Sequence, residues 1–205
     1  GTSLLLFAVI LAVTAWFAFR FDPLGRVQHA YEAHDYRAAL IAAHDHLKRW
    51  PGDRRASLMT ARCLARLGQW RQAGEIFSRF GGLSLDDAND HAYALTRLGT
   101  YDRALAAYEA LLDRWPSDVL ALKRMAALLM DRNDWKRVRE IAQRLVKIPG
   151  GEIAGWTLSG IDFHVSKHAE EAIAAFEHVL EIDPDLEEMP LPRSLFWHHV
   201  ALELM

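Results

Sequence analysis

Five short elements recur along this chain at a nearly fixed interval, and that interval constrains the fold more than any other feature. Tyr36 with Ala39, Trp70 with Ala73, Tyr101 with Ala104, Trp135 with Val138 and Ala169 with Ala172 each set an Ala or Val three residues after an aromatic or small residue. The elements begin 34, 31, 34 and 34 residues apart. A period near 34 marks a helix-turn-helix array, in which one unit is too small to bury its own apolar face and must stack on its neighbours. Such an architecture tilts function towards binding rather than chemistry.

The residues between the repeated elements fit the same period. His34-Asp35, Leu67-Gly68-Gln69, Leu98-Gly99-Thr100 and Arg132-Asn133-Asp134 supply turn residues where one helix stops and the next begins. Second helices follow with apolar residues at spacings of three and four: Ala104, Tyr108, Leu111 and Leu112 in one, Ala172, Phe176, Val179 and Leu180 in another. Pro51, Pro116, Pro149 and Pro184 close the second helices, because proline lacks the donor that would continue them. The unit after Trp70 has no closing proline. It carries Gly81-Gly82-Leu83-Ser84 in a shortened connection, which accounts for the spacing of 31.

With these residues in place the chain resembles the tetratricopeptide repeat (TPR) family. Trp156, Gly160 and Phe163 followed by Ala172, Phe176 and Pro184 match the family's first-helix Trp, Gly and Tyr and its second-helix Ala, aromatic and Pro. Ala61, Ala92 and Ala126 stand where the other units need a small first-helix residue. The resemblance implies an all-α, right-handed superhelical solenoid of about five repeats plus part of another, spanning residues 22–185. Its inner face, built mainly from first helices, would bind peptides or protein surfaces.

Ahead of the array, residues 1–19 carry no charge. Leu4, Leu5, Leu6, Phe7, Val9, Ile10, Leu11, Val13, Trp16, Phe17 and Phe19 make the stretch apolar on every side. Nineteen helical residues reach roughly 28 Å, close to the thickness of a bilayer core. Aromatic residues gather beside Arg20, as at a membrane interface. Residues 1–21 are therefore expected to be a single transmembrane anchor in lipid. A cleaved signal peptide would need a small-x-small site after the apolar stretch, and no such pair follows it before Asp22. The look of the chain is that of bacterial TPR proteins anchored in the cell inner membrane. Arg20, Arg26 and Arg37 after the anchor favour a cytoplasmic array, whereas basic residues ahead of it would reverse that, so the side stays open.

The formal net charge of −3 and the absence of a long basic run give no nucleic-acid footprint. No phosphate-binding glycine loop or paired-cysteine motif occurs, and no cofactor is expected. Ten His suggest metal, but His164 and His168 straddle a turn, while His44 and His46 diverge, as do His198 and His199. Trp50 and Trp115 recur in Arg-Trp-Pro-Gly-Asp and Arg-Trp-Pro-Ser-Asp, and packing on the following unit is the expected role.

A candidate recognition surface follows from laying the repeat over the first helices. It places Arg62, Arg66, Asn89, Tyr93, Arg97, Lys123 and Arg124 on or near the inner face, a set suited to a carboxylate or acidic peptide. The plainer reading is a solvated face balanced by Asp86, Asp90 and Asp131. Leu58 and Met59 stand where the family's chaperone-tail clamp needs polar groups, so that specificity does not carry over. Residues 186–205 read as a proline-containing connection, then a helix start with Trp197, Val200, Ala201 and Leu204 on one face. The expected function is a membrane-anchored interaction scaffold, or an accessory subunit of a membrane complex whose partners include integral membrane proteins. The alternative is the repeat region of an enzyme with its catalytic domain beyond residue 205.

Overall fold

The structure is a computed structural model, and it describes residues 24–185. The anchor stretch and the connection from residue 186 lie outside the described residues. No helix among the described residues is long and apolar enough to cross a membrane.

The described residues form ten α-helices and no strand: α1 Gly25–Glu32, α2 Tyr36–Arg49, α3 Arg54–Arg66, α4 Trp70–Phe77, α5 Leu85–Arg97, α6 Tyr101–Arg114, α7 Val119–Asp131, α8 Trp135–Leu145, α9 Glu152–Val165 and α10 Ala169–Ile182. Odd-numbered helices are the first of each repeat in this chain, even-numbered ones the second. The chain divides into two compact units, the first ending at Leu98 and the second beginning at Gly99.

In the first unit α1 packs on α2, α2 on α3, α3 on α4 and α4 on α5. First helices also meet directly, α1 with α3 and α3 with α5. In the second unit α6, α7, α8, α9 and α10 pack in sequence. Contacts between chain neighbours are what a quasi-one-dimensional array produces. The periodic small residues explain why it closes up: Ala39, Ala73, Ala104, Val138 and Ala172 are all fully buried. A larger side chain there would hold the helices of a pair apart.

The turns behave as their residues dictate. Gly68 and Gly99 take positive φ after α3 and α5, and Asn133 does so after α7 at 58°. His34 at 61° and Lys167 at 62° adopt the same left-handed conformation, which a non-glycine residue enters at some steric cost. Asp35, Asp53, Ser84, Asp118 and Asp134 then cap the next helix, each side chain accepting from a first-turn backbone N–H.

This assigns the twice-occurring Trp-Pro-x-Asp motif a role the sequence reading placed elsewhere. Proline closes one helix, and Asp53 or Asp118 opens the next by accepting from Ala56 or Ala121. Trp50 is 51% exposed and lies against His46 of its own helix, at 4.7 Å between ring centroids. Trp115 is half-buried beneath the guanidinium of its neighbour Arg114.

The shortened repeat is also accounted for. Helix α4 has 8 residues, against 14 in α2 and α6. Arg54 ties down the abbreviated link by donating to the carbonyls of Gly81 and Gly82 at 2.6 and 3.2 Å, with its guanidinium over the Phe80 ring.

Candidate functional site

The inner-face positions of the first helices change character from repeat to repeat. In register they read Leu58, Met59 and Arg62 on α3, Asn89, Asp90 and Tyr93 on α5, Lys123, Arg124 and Ala127 on α7, and Thr157, Leu158 and Ile161 on α9. Each unit holds a cleft between two of these helices.

In the first unit a cleft of about 370 Å³ lies between α1 and α3, lined by Leu24, Tyr31, Leu58 and Met59 with Gln28, Glu32, Arg55 and Arg62. Two of the expected partner-binding cations in this unit are already engaged. Arg62 makes a bidentate pair with Asp87, Nε to Oδ1 at 2.6 Å and Nη2 to Oδ2 at 2.8 Å. Asp87 is 1% exposed, and the Ser84 hydroxyl donates to the same carboxylate at 2.8 Å. The bonds to Asp87 raise the Arg62 guanidinium above its ordinary range against the opposing effect of burial. Arg66 faces the buried Asp90 at 3.4 Å. Burial works to lower this guanidinium as well, but Asp90 and Tyr31 outweigh it and raise it overall.

These pairs join α3 to α5, so they are structural joints between repeats. Arg62 pairs with Asp87, which is not among the acidic residues expected to balance this face, whereas the expected Asp90 meets Arg66. Asn89 is buried, its side-chain amide donating to the Leu85 carbonyl at 3.4 Å. Tyr93 packs edge-on against Trp70 at 5.2 Å. Arg97 lies exposed in the last turn of α5.

The second unit places its expected cations differently. Lys123 and Arg124 line a cleft of about 250 Å³ between α7 and α9, together with Leu120, Ala127, Met130, Ala154, Thr157 and Leu158. Its floor is aliphatic, and Thr157 is self-satisfied, its hydroxyl donating to the Ile153 carbonyl at 2.7 Å. Lys123 is half-buried and forms no ion pair with another described residue. Leu120 stands 46% exposed at the edge. An apolar trough with cations on one wall suits an aliphatic side chain flanked by carboxylates.

The apolar wall on α9 escaped the sequence reading because it was sought through charged and aromatic residues. The signal was present in the register, where Ala154, Thr157 and Leu158 follow Leu120, Lys123 and Arg124 by 34 residues. Of the histidines considered for metal, His46 is buried and its Nε2 lies 2.8 Å from Asp53, while His44 is exposed. His164 lies within α9, and His168 stands at the N-cap of α10.

The described residues define a helical-repeat protein built of paired helices. The chain belongs to the tetratricopeptide repeat family: family profiles described as tetratricopeptide repeat match residues 24–80 and 95–159, together more than half of its length. Among solved structures it is similar to the MamA protein, with a TM-score of 0.72 and 15% identity over 85% of this chain and 97% of that one. It is also similar to YrrB, described as a TPR protein with an unusual peptide-binding site, with a TM-score of 0.71 and 14% identity over 92% and 95% of the two chains. A TPR protein from Parabacteroides merdae gives a TM-score of 0.73 and 13% identity over 89% and 71%. At these identities the likeness is one of fold. No curated protein matches the chain in sequence.

Proposed function

We propose that this chain is a membrane-anchored TPR scaffold, or the accessory subunit of a membrane protein complex, that recruits a protein through the α7–α9 cleft. The observation that carries the reading is the pairing of an aliphatic floor (Met130, Ala154, Leu158) with Lys123 and Arg124 on one wall. The preferred ligand is a peptide segment with one aliphatic side chain beside two carboxylates. Lys123 and Arg124 select its charge, and the trough selects its apolar side chain. In the first unit Arg97 is an exposed cation, and Arg62, Arg66, Asn89 and Tyr93 shape that unit's own inner face. The anchor formed by Leu4 to Phe19 holds the array at the cell inner membrane, where partners include integral membrane proteins. The uncharged stretch of residues 1–19 supports that placement.

A charge-swap titration tests the recognition step. Synthetic peptides carrying a Leu flanked by two Glu, or by two Lys, are titrated into the full chain in detergent. The acidic peptide binds the wild type, and Lys123→Glu with Arg124→Glu reverses the preference. A variant that keeps the wild-type preference would reject the cleft as the recognition site. For the anchor, carbonate extraction should leave the full chain in the membrane fraction, and release by carbonate would reject it.

A further inference from the structure

We propose that the edge of the first unit at which the chain enters α1 is a lipid-contact surface, seated on anionic phospholipid headgroups through Arg49, Arg54, Arg55 and Arg79 with Trp50 among them. The inference rests on the reading that residues 1–21 anchor the chain, and it adds a second contact with the same bilayer. Three observations bring these residues to one edge. Leu24, just ahead of α1, and Arg55, in the first turn of α3, line the same cleft. Arg49 ends α2, and residues 50–53 join it to Arg54 at the start of α3. Arg54 donates to the carbonyls of Gly81 and Gly82, which draws the link carrying Arg79 to the same place. All four arginines are exposed, and none forms an ion pair with another described residue. The acceptors of Arg54 are neutral carbonyls, so its charge stays uncompensated. Nearby carboxylates are engaged elsewhere: Asp45 pairs with Lys48, Asp53 caps α3 and meets His46, and Asp87 is held by Arg62. Only Asp86, among the carboxylates of this edge, is left exposed. Trp50, 51% exposed among the cations, has the amphipathic ring that settles at a membrane–water interface.

The repeat itself does not require a basic edge, as the second unit shows. There Val119 and Leu120 stand in the register of Arg54 and Arg55. Arg114 covers the Trp115 ring at 4.2 Å, and Arg144 donates to the Pro116 carbonyl at 2.9 Å. The first unit's edge is also the one nearest the proposed anchor. Asp22 and Pro23 alone separate Leu24 from residue 21, a reach of at most roughly 11 Å. An anionic leaflet attracts cations placed so close to it, each favouring the contact by about fivefold. The consequence is a fixed orientation of the first unit, with its α2–α3 turn on the lipid surface in place of free rotation about a tether.

Hydrogen exchange of the full chain in lipid nanodiscs tests this, with discs of phosphatidylcholine alone or of phosphatidylcholine mixed with phosphatidylglycerol. In the anionic discs exchange across residues 49–55 and 79–84 should slow about tenfold, and the register counterpart 114–120 should not change. Added salt should reverse the slowing, because it screens exposed charges. Arg49→Glu, Arg55→Glu and Arg79→Glu together should abolish it. Arg54 is kept because it ties down the α4–α5 link, and wild-type exchange in the neutral discs shows that the variant is folded. Equal exchange in the two lipids, or slowing that the variant retains, would overturn the proposal. Vesicle sedimentation separates this contact from the anchor. A chain that carbonate strips from membranes, yet that sediments with phosphatidylglycerol vesicles unless triply substituted, would uphold the basic edge and reject the anchor. A chain that resists carbonate but exchanges equally in the two lipids would do the reverse.

Discussion

The two units of the array are built from the same repeat but are held together differently. In the first unit the buried core is largely alanine (Ala39, Ala43, Ala56, Ala61, Ala65, Ala73, Ala92, Ala94), and His46, Asp87, Asn89 and Asp90 are buried with it. Its fully buried large side chains are Val27 and Phe77. The second unit buries Leu122, Leu128, Leu129, Val138, Leu145, Val179, Tyr108 and Phe176 to the same extent. It too has a charged joint, Arg139 with the buried Asp162 at 2.7 Å. Both units therefore use charged joints, but the first adds two between the first helices α3 and α5, while the second buries more large aliphatic side chains. A buried pair contributes little net stability, because desolvation offsets most of its attraction, but it penalises any wrong register. The same difference bears on function: two cations of the first unit's inner face pair with buried carboxylates, while in the second unit Lys123 forms no ion pair with another described residue and lines an open cleft.

The sharpest way to break this comparison is to strand a buried charge. Arg62→Ala leaves Asp87 without its guanidinium and should destabilise the first unit by about 3–5 kcal/mol, seen as faster hydrogen exchange in α3 and α5. Asp87 occupies the register of Ala56, Ala121 and Gly155. Adding Asp87→Ala to Arg62→Leu should therefore recover most of the loss, and failure to recover would show that the pair does more than join repeats. The counterpart in the second unit is Leu129→Ala, which empties part of an aliphatic core and should cost about 2–5 kcal/mol. Its exchange signature should centre on α7 and α8.

Gly155 probes how closely α9 approaches α8. A Cβ there would meet the Val146 backbone nitrogen at 2.6 Å and the Ala142 carbonyl oxygen at 2.9 Å. Backbone atoms cannot rotate away, so Gly155→Ala should destabilise the second unit by about 1–3 kcal/mol in urea titration.

The smallest expected effect is a helix cap. Asp53→Ala should cost about 1 kcal/mol near neutral pH. Burial pushes the Asp53 carboxyl up, but hydrogen bonds from the Ala56 N–H, His46 and the Arg55 N–H together hold it below the usual carboxylate range. A carboxyl depressed in the folded state stabilises above its unfolded value, near pH 4, and the contribution disappears as pH falls through the folded value. The difference between wild type and Asp53→Ala should therefore be constant above about pH 5 and shrink in more acidic solution.

The architecture was legible in the sequence because it rests on local, periodic signals. Five buried residues at the repeat interval and left-handed turns at Gly68, Gly99 and Asn133 are each dictated by size or backbone freedom. The site was legible only in part. Charge type identified Lys123 and Arg124, but whether a cation is open or engaged depends on a partner in the next repeat. Asp86 and Asp87 are adjacent in sequence, and only helical phase decides that Asp87 turns inward to Arg62. Aliphatic residues such as Leu158 carry no sequence mark separating a cleft wall from ordinary core. Trp50 misled because large aromatics are usually buried, whereas its neighbours Pro51 and Asp53 are what end one helix and start the next.

Recognition is proposed to belong to the second unit's cleft and not to its register twin in the first. Methyl NMR of the full chain tests it directly, with Met130 and Leu158 reporting on the α7–α9 cleft and Leu58 and Met59 on the α1–α3 cleft. On titration with the peptide carrying Leu between two Glu, saturable shifts are expected at Met130 and Leu158 with Leu58 and Met59 unmoved. Saturable shifts at Leu58 and Met59 with Met130 and Leu158 unchanged would contradict it.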